Sequence, residues 1–234
     1  MRTLGLIGGT SWRSTEIYYR TLNTFFNDRF GNNTNPPLRV VNLNQHEIHA
    51  LQAAGDWLAL AEIYRAAIRD LASIGCEGIL LCANTPHIMF DQICRAGNAE
   101  ILHIADAVGK RAASMGLRKL GILGTIHTIK QDLYGKRLRD RCGLEIVVAD
   151  GADNNRIEQI IKEELTFGVV TEKSRDFLNA VVGDFQAMGA DGVVLGCTEL
   201  SLIANEGGSA LPLLDTTDLH CRMGAGFILR EALC

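Results

Sequence analysis

No stretch of the 234-residue chain approaches the roughly 18 consecutive apolar residues of a membrane span, and no P-loop or G-x-G-x-x-G turn occurs. Basic residues are scattered, with no run longer than a pair such as Lys136-Arg137, and the formal charge is −4. A chain with no basic face lacks the electrostatic footprint of a nucleic-acid binder. Neither a nucleic acid nor a membrane is therefore expected as partner. The first apolar run turns at Gly8-Gly9 and leads into no cleavage-site pattern, so no targeting segment is expected. Also missing is any linker rich in Pro, Gly or Ser, which leaves the chain without an obvious seam. Seven cysteines, an odd number without a dense framework, point to free thiols in a reducing cytoplasm.

What is present is an ordinary globular composition, with 47% apolar residues and a length suited to one large or two small domains. Two segments of the first half return in the second. Arg2-Thr3-Leu4-Gly5-Leu6-Ile7-Gly8-Gly9 resembles Arg118-Lys119-Leu120-Gly121-Ile122-Leu123-Gly124-Thr125, 116 positions on. Gly75-Cys76-Glu77-Gly78-Ile79-Leu80-Leu81 resembles Gly189-Ala190-Asp191-Gly192-Val193-Val194-Leu195, 114 positions on. Two matches at nearly one offset indicate a duplicated domain. Short apolar runs near 4–8, 39–43, 78–82, 101–104, 119–124, 145–149, 192–196 and 211–214 read as buried parallel strands. Helical spacing fills the gaps, as in Ile17, Tyr18, Leu22, Phe25 and Phe26, in Trp57 to Leu71, and in Ile157 to Leu165. The pattern predicts two similar parallel-sheet α/β domains. Ligands of such sheets bind beyond the carboxyl ends of the strands. A last helix is expected over about 217–233.

Two cysteines fall at those ends. Cys82 comes directly after the strand ending at Leu81, with Thr85 as expected helix cap and Pro86 at the first helical position. Cys197 comes directly after the strand ending at Gly196, with Thr198 as expected cap. A thiol beside helix N-terminal N–H groups has its thiolate stabilised and can act as a base. Inverting a stereocentre by proton transfer needs one base on each face of the carbon, and two thiols from facing halves supply them. Any single cysteine is more often a core residue, which is the reading for Cys76, Cys94, Cys142, Cys221 and Cys234. Metal binding is not expected: Cys76 and Cys82 stand six strand residues apart, about 20 Å, too far to share an ion or a disulfide.

The turns Gly8-Gly9-Thr10-Ser11 and Gly124-Thr125-Ile126-His127-Thr128 offer N–H groups and hydroxyls to an anion, or else serve as tight turns with caps. Beside two bases the expected guest is a carboxylate, held by Thr10, Ser11, Asn84, Thr85 and Thr198. His87 reads by default as a surface residue of its helix, with assistance to the Cys82 thiol as the alternative.

Gly8-Gly9-Thr10-Ser11-Trp12-Arg13-Ser14-Thr15, Cys82-Ala83-Asn84-Thr85, Gly196-Cys197-Thr198-Glu199 and Leu211-Pro212-Leu213-Leu214-Asp215-Thr216-Thr217 resemble, in order, the motifs of the aspartate/glutamate racemase family. The resemblance implies an amino-acid racemase that needs no cofactor, an active site between two α/β domains, and a homodimer. By that likeness Cys82 and Cys197 are the two bases. By the same likeness Gly9, Thr10, Ser11, Asn84, Thr85, Thr125, Thr198 and Glu199 would contact a small amino-acid or dicarboxylate substrate. The domains would run over 1–104 with 216–234, and over 105–215, because the family's last helix returns to the first domain. Glu199 stands where glutamate racemases carry His, which places the chain nearer the aspartate or broad-specificity branch. Ala83 departs from a commonly polar position. Arg13 and Lys162 are the cations weighed for a second substrate carboxylate, against a reading of both as surface charges, and Asn44-Gln45-His46-Glu47-Ile48 offers no arginine. A decarboxylase or cis-trans isomerase of a dicarboxylate, and a non-catalytic amino-acid-binding protein, remain the alternatives.

Overall fold

A computed structural model describes residues 1–204 and 209–233. Its strands are β1 Leu4–Gly8, β2 Leu38–Asn42, β3 Gly78–Leu81, β4 Glu100–Ile101, β5 Lys119–Leu123, β6 Glu145–Val148, β7 Gly192–Leu195 and β8 Leu213–Asp215. They form two four-stranded sheets, in the orders β2-β1-β3-β4 and β6-β5-β7-β8. Every pairing is parallel. Each strand overlaps one of the expected apolar runs, though β4 shares only Ile101 with the run 101–104 and β8 only Leu213 and Leu214 with the run 211–214. The central strands β1, β3 and β7 are buried throughout, whereas the edge strands β2 and β6 are partly exposed. Continuous apolar runs, with no alternation, result from a sheet covered on both faces.

The chain divides into two compact units. The first comprises Met1–Ile104 with His220–Cys234; Cys234 itself lies outside the described residues. Its helix Trp57–Ser73, capped by Asp56, turns Leu60, Ala61, Tyr64, Ala67, Ile68 and Leu71 inward. They pack with Ile7, Ile79 and Leu81 of the sheet, each large aliphatic side chain contributing about 1.5–3 kcal/mol through burial. Helix Trp12–Phe30 buries Ser14, Tyr18, Leu22 and Phe26. That stripe is narrower than expected, because Ile17 and Phe25 flank it and stay half-buried. The last helix, Thr216–Leu229, ends earlier than expected. Within the first unit its His220 accepts from the Tyr18 hydroxyl at Nδ1 (2.8 Å) and donates from Nε2 to the Leu102 carbonyl (2.8 Å).

The second unit comprises Ala105–Leu219. Helix Gly151–Glu163 buries Ile157, Ile160 and Ile161, and helix Glu172–Ala187 buries Leu178, Val181, Val182 and Phe185. These side chains pack with Leu123, Val193 and Leu195. The repeat has a packing reason at one matched pair of glycines. A Cβ on Gly5 would lie 2.9 Å from Leu71 Cδ1, and one on Gly121 would lie 2.3 Å from Phe185 Cδ2. In both units the central strand admits the covering helix only where its side chain is a hydrogen.

Cys76 and Cys221 are buried and Cys94 is half-buried. Cys142 is instead exposed, because it ends the polar helix Gly135–Cys142 ahead of the left-handed Gly143. Among the described residues, no helix is long and apolar enough to cross a membrane.

Candidate functional site

In the first unit the turn after β1 is held by its own hydroxyls. Gly9 has φ +88°, and a Cβ there would lie 2.0 Å from the Leu43 carbonyl oxygen, so only glycine fits. Its N–H donates to Thr15 Oγ1 at 3.0 Å, and the Thr15 hydroxyl donates to the Ser11 carbonyl at 2.9 Å. Ser11 caps helix Trp12–Phe30. The Thr10 carbonyl accepts from His49 Nε2 at 2.9 Å, and its hydroxyl is hydrogen-bonded to the Tyr64 phenol.

Cys82 sits immediately past the end of β3. Its N–H donates to the Ile7 carbonyl at 2.9 Å and its carbonyl accepts from the Ser14 hydroxyl at 2.7 Å. The side chain is 1% exposed, and burial pushes the thiol well above its ordinary value. The expected stabilisation by a helix N-terminus is outweighed for a simple reason. The chain beyond Cys82 forms a 3-10 turn, Thr85–Met89, that runs into a single α-helical turn, Phe90–Ile93, and Asn84 ahead of it makes no side-chain cap. Asn84 is already helical (φ −73°, ψ −51°), so Thr85 lies inside the turn and is not its cap. Turns that short offer little dipole against the loss of a thiolate's hydration.

In the second unit Cys197 is itself the N-cap residue of the 3-10 turn Thr198–Leu200, with Thr198 inside it. The Cys197 thiol donates to Glu199 Oε2 at 2.7 Å, and the Thr198 hydroxyl donates to the same oxygen at 2.8 Å. Burial first, then the neighbouring carboxylate, push this thiol up as well. The phenol of buried Tyr134 is pushed up chiefly by burial, with Cys197 and Asp215 adding to the shift. The Tyr134 ring also lies against Gly196, where a Cβ would approach Tyr134 Cε2 to 3.3 Å. The Asp215-Thr216-Thr217 segment is structural in part. Thr216 donates to the Leu195 carbonyl at 2.7 Å, and Asp215 accepts from the N–H groups of Thr217 and Asp218.

The two cysteines occupy neighbouring, not identical, places in the repeat. Cys82 N–H donates to the carbonyl of Ile7, which pairs with Leu81, whereas the matching bond of the second unit, 2.7 Å to the Leu123 carbonyl, comes from Gly196. Cys197 is one residue farther from its strand. Its side chain is half-buried while that of Cys82 is sealed.

Other candidates are accounted for by local contacts. Thr125 caps helix Ile126–Lys130, and the Ile126 N–H is taken by Glu158 Oε2 at 2.6 Å, so the protein supplies its own carboxylate there. Lys162 is paired with Glu158, and exposed Arg13 stacks 5.0 Å over the Trp12 ring. His87 is not a surface residue. It is 2% exposed, its Nδ1 lies 3.1 Å from the Ala83 carbonyl, and its ring packs edge-on against those of His103 and His220. The 3-10 turn Thr85–Met89 that carries it also buries Pro86 and Met89. The sequence singles out none of Tyr64, Tyr134, Ser14 and His49 for the site: Tyr64 reads as one more apolar position of its helix, and Ser14 only as part of the motif from Gly8 to Thr15. Among the described residues, no three His, Cys, Asp or Glu side chains are grouped so as to hold a metal ion.

Known proteins share both the chain pattern and the fold. Residues 7–224 match the family described as Asp/Glu/hydantoin racemase. A Yersinia pestis protein assigned to the Asp/Glu racemases is 38% identical, with a TM-score of 0.93 and coverage of 98% of this chain and 100% of that one. An aspartate racemase homologue from Pyrococcus horikoshii is 32% identical, with a TM-score of 0.88 and coverage of 98% and 100%. The glutamate racemase of Corynebacterium glutamicum is 28% identical over 157 residues, which take in 63% of this chain and 54% of that enzyme. The chain thus spans about half the length of that relative. With a family match over nearly all of its length, and two solved relatives that share its two parallel sheets, the chain belongs to the Asp/Glu/hydantoin racemase family.

Proposed function

We propose that the protein is an amino-acid racemase, acting on aspartate, glutamate or a broader range, that moves the α-proton between the Cys82 and Cys197 thiols without pyridoxal phosphate. The observation that carries this reading is the Cys197–Glu199 contact of 2.7 Å, a thiol with a proton acceptor already in place. Transfer of the thiol proton to Glu199 Oε2 leaves a thiolate beside a neutral carboxylic acid. That thiolate takes the α-proton from one face of the substrate carbon, and the Cys82 thiol, protonated because it is buried, delivers a proton to the other face. The product is the mirror-image amino acid, with Cys82 left as thiolate. Proton exchange with solvent restores the starting form.

The α-hydrogen of an amino acid is weakly acidic, so the developing carbanion needs fixed donors around the α-carboxylate. We assign that carboxylate to the polar groups of Thr10, Ser11, Asn84, Thr85 and Thr198, on the turn that Gly9 shapes while its own N–H is taken by Thr15. Exposed Arg13 and ion-paired Lys162 are engaged elsewhere, which supports a broad range over a strict requirement for a second carboxylate. The same reading takes the enzyme as a cytoplasmic homodimer.

The test is a panel of L- and D-amino acids in deuterated water, monitored by NMR for loss of the α-hydrogen and by chiral chromatography. Exchange and inversion of at least one amino acid are expected. No exchange with any would overturn the reading, and turnover of maleate or an arylmalonate in its place would replace it with the isomerase or decarboxylase chemistry.

A further inference from the structure

We infer that Tyr64 is a positioning residue that turns the Thr10 hydroxyl into a dedicated hydrogen-bond donor for a substrate carboxylate. This rests on the reading that the Gly9-Thr10-Ser11 turn receives the carboxylate of an amino acid. Each proton of the pair can be placed in turn. Tyr64 is 0% exposed on helix Trp57–Ser73. Among the described residues its phenol has one hydrogen-bond partner, Thr10 Oγ1. A buried hydroxyl that fails to donate forfeits a hydrogen bond with no water to replace it, at about 1–3 kcal/mol. The phenol proton has one place to go, so Thr10 Oγ1 accepts it.

Thr10 then has a proton of its own to place. Its carbonyl is already occupied by His49 Nε2, and among the described residues its hydroxyl has no second partner. Thr10 as a whole is 7% exposed, where Tyr64 is 0%. Its backbone is held by Gly9, whose left-handed conformation presses against Leu43, and by the capped helix that starts at Trp12. The O–H of Thr10 therefore points away from Tyr64 with little rotational freedom, which is how a site lowers the entropy of holding an anion. Burial, together with nearby Cys82, keeps the phenol above its ordinary value, so it stays a donor across the working pH range. The influence of Cys82 on that phenol also puts the donor within electrostatic reach of the thiol.

The experiment compares Tyr64→Phe, Thr10→Val, Thr10→Ser and the Tyr64→Phe/Thr10→Val double variant, with steady-state racemisation and urea unfolding measured for each. Tyr64→Phe is expected to raise KM about tenfold, the scale of one hydrogen bond to a charged group, with kcat within about threefold. Thr10→Val should do the same and Thr10→Ser should stay near the parent. In the Thr10→Val background the Tyr64→Phe change should add less than about twofold. A Tyr64 that served only packing would lower the urea midpoint without moving KM, and that outcome overturns the inference, as does an equal KM effect in both backgrounds. A Tyr64→Phe protein too unstable to assay leaves the Thr10 pair decisive: equal KM for the Ser and Val variants overturns it. Failure of the parent to act on any amino acid counts against the racemase reading alone. The inference is then read by calorimetric binding of aspartate and of acetate, where equal affinities of parent and Tyr64→Phe would sink it.

Discussion

The Cys197 thiol donates to Glu199 Oε2 at 2.7 Å, whereas among the described residues Cys82 has no such neighbour, its sulfur lying 4.0 Å from the Leu80 carbonyl. The two thiols of the repeat are chemically unlike. One is joined to a proton acceptor, while the other is a buried weak acid.

That difference makes Glu199→Gln an informative variant. Removing the carboxylate takes away both the acceptor and a negative charge that raises the Cys197 thiol. The thiol should therefore titrate lower than in the parent, though still above its ordinary value because burial is the larger cause. Racemisation should fall by about a hundredfold, the scale of a lost general base. Alkylation of Cys197 by iodoacetamide, read by peptide mass spectrometry across a pH series, measures the first effect. An unchanged alkylation profile and an unchanged rate would remove Glu199 from the mechanism.

The thiols also separate by direction. Cys82→Ala and Cys197→Ser should each abolish racemisation, which needs both. Each variant should still exchange the α-hydrogen of one enantiomer, and the two variants should choose opposite enantiomers. Solvent deuterium incorporation from pure L and pure D substrate checks this. Normal racemisation by either variant is incompatible with proton transfer between two thiols.

Much of the fold is legible because parallel sheets leave a plain mark. Runs such as Leu4 to Gly8 and Gly192 to Leu195 are apolar without alternation, and the Gly5 and Gly121 pair marks where a helix touches the sheet. The strand ends locate Cys82 and Cys197 for the same reason. Features that the chain does not disclose depend on single-residue register and on contacts distant in sequence. Spacing alone makes Cys197 the partner of Cys82, but backbone pairing gives that place to Gly196. Tyr64 lies 54 positions from Thr10 and carries the same helical periodicity as its apolar neighbours, so nothing local separates a core phenol from a functional one. Three-residue and five-residue 3-10 turns have no periodicity to detect, which is why residue type alone puts caps at Thr85 and Thr198, one position inside their turns.

The matched glycines carry a stability prediction. Gly121→Ala would set a methyl 2.3 Å from Phe185 Cδ2, inside a fully buried helix and sheet contact. Overpacking of that kind costs about 1–3 kcal/mol. The urea midpoint should drop accordingly, and Phe185→Leu in the same chain should recover part of the loss by vacating the ring. A Gly121→Ala protein as stable as the parent would mean that the helix shifts freely over the sheet.

Stability should decline at both ends of the pH scale, and His220 sets the acid limb. Desolvation comes first among the causes, then neighbouring His87, and together they lower its pKa from about 6.5 to about 3. Below 6.5 the unfolded chain binds a proton that the folded chain refuses until about pH 3, so the unfolded state holds more protons and stability falls as pH falls. The slope from this one residue is about 1.4 kcal/mol per pH unit. The raised Cys82 thiol acts in the opposite sense. Above its ordinary value of about 8.5 the unfolded chain loses a proton that the folded chain retains, and stability falls as pH rises. Urea midpoints from about pH 4 to 10 should therefore form a dome. His220→Gln should flatten the acid side by one proton, and Cys82→Ala should flatten the alkaline side by one. His220→Gln will also lower the whole curve, since it disturbs the bonds to Tyr18 and Leu102. The slope, not the height, is the diagnostic quantity, and an acid slope unchanged by His220→Gln would show that another buried group governs acid unfolding.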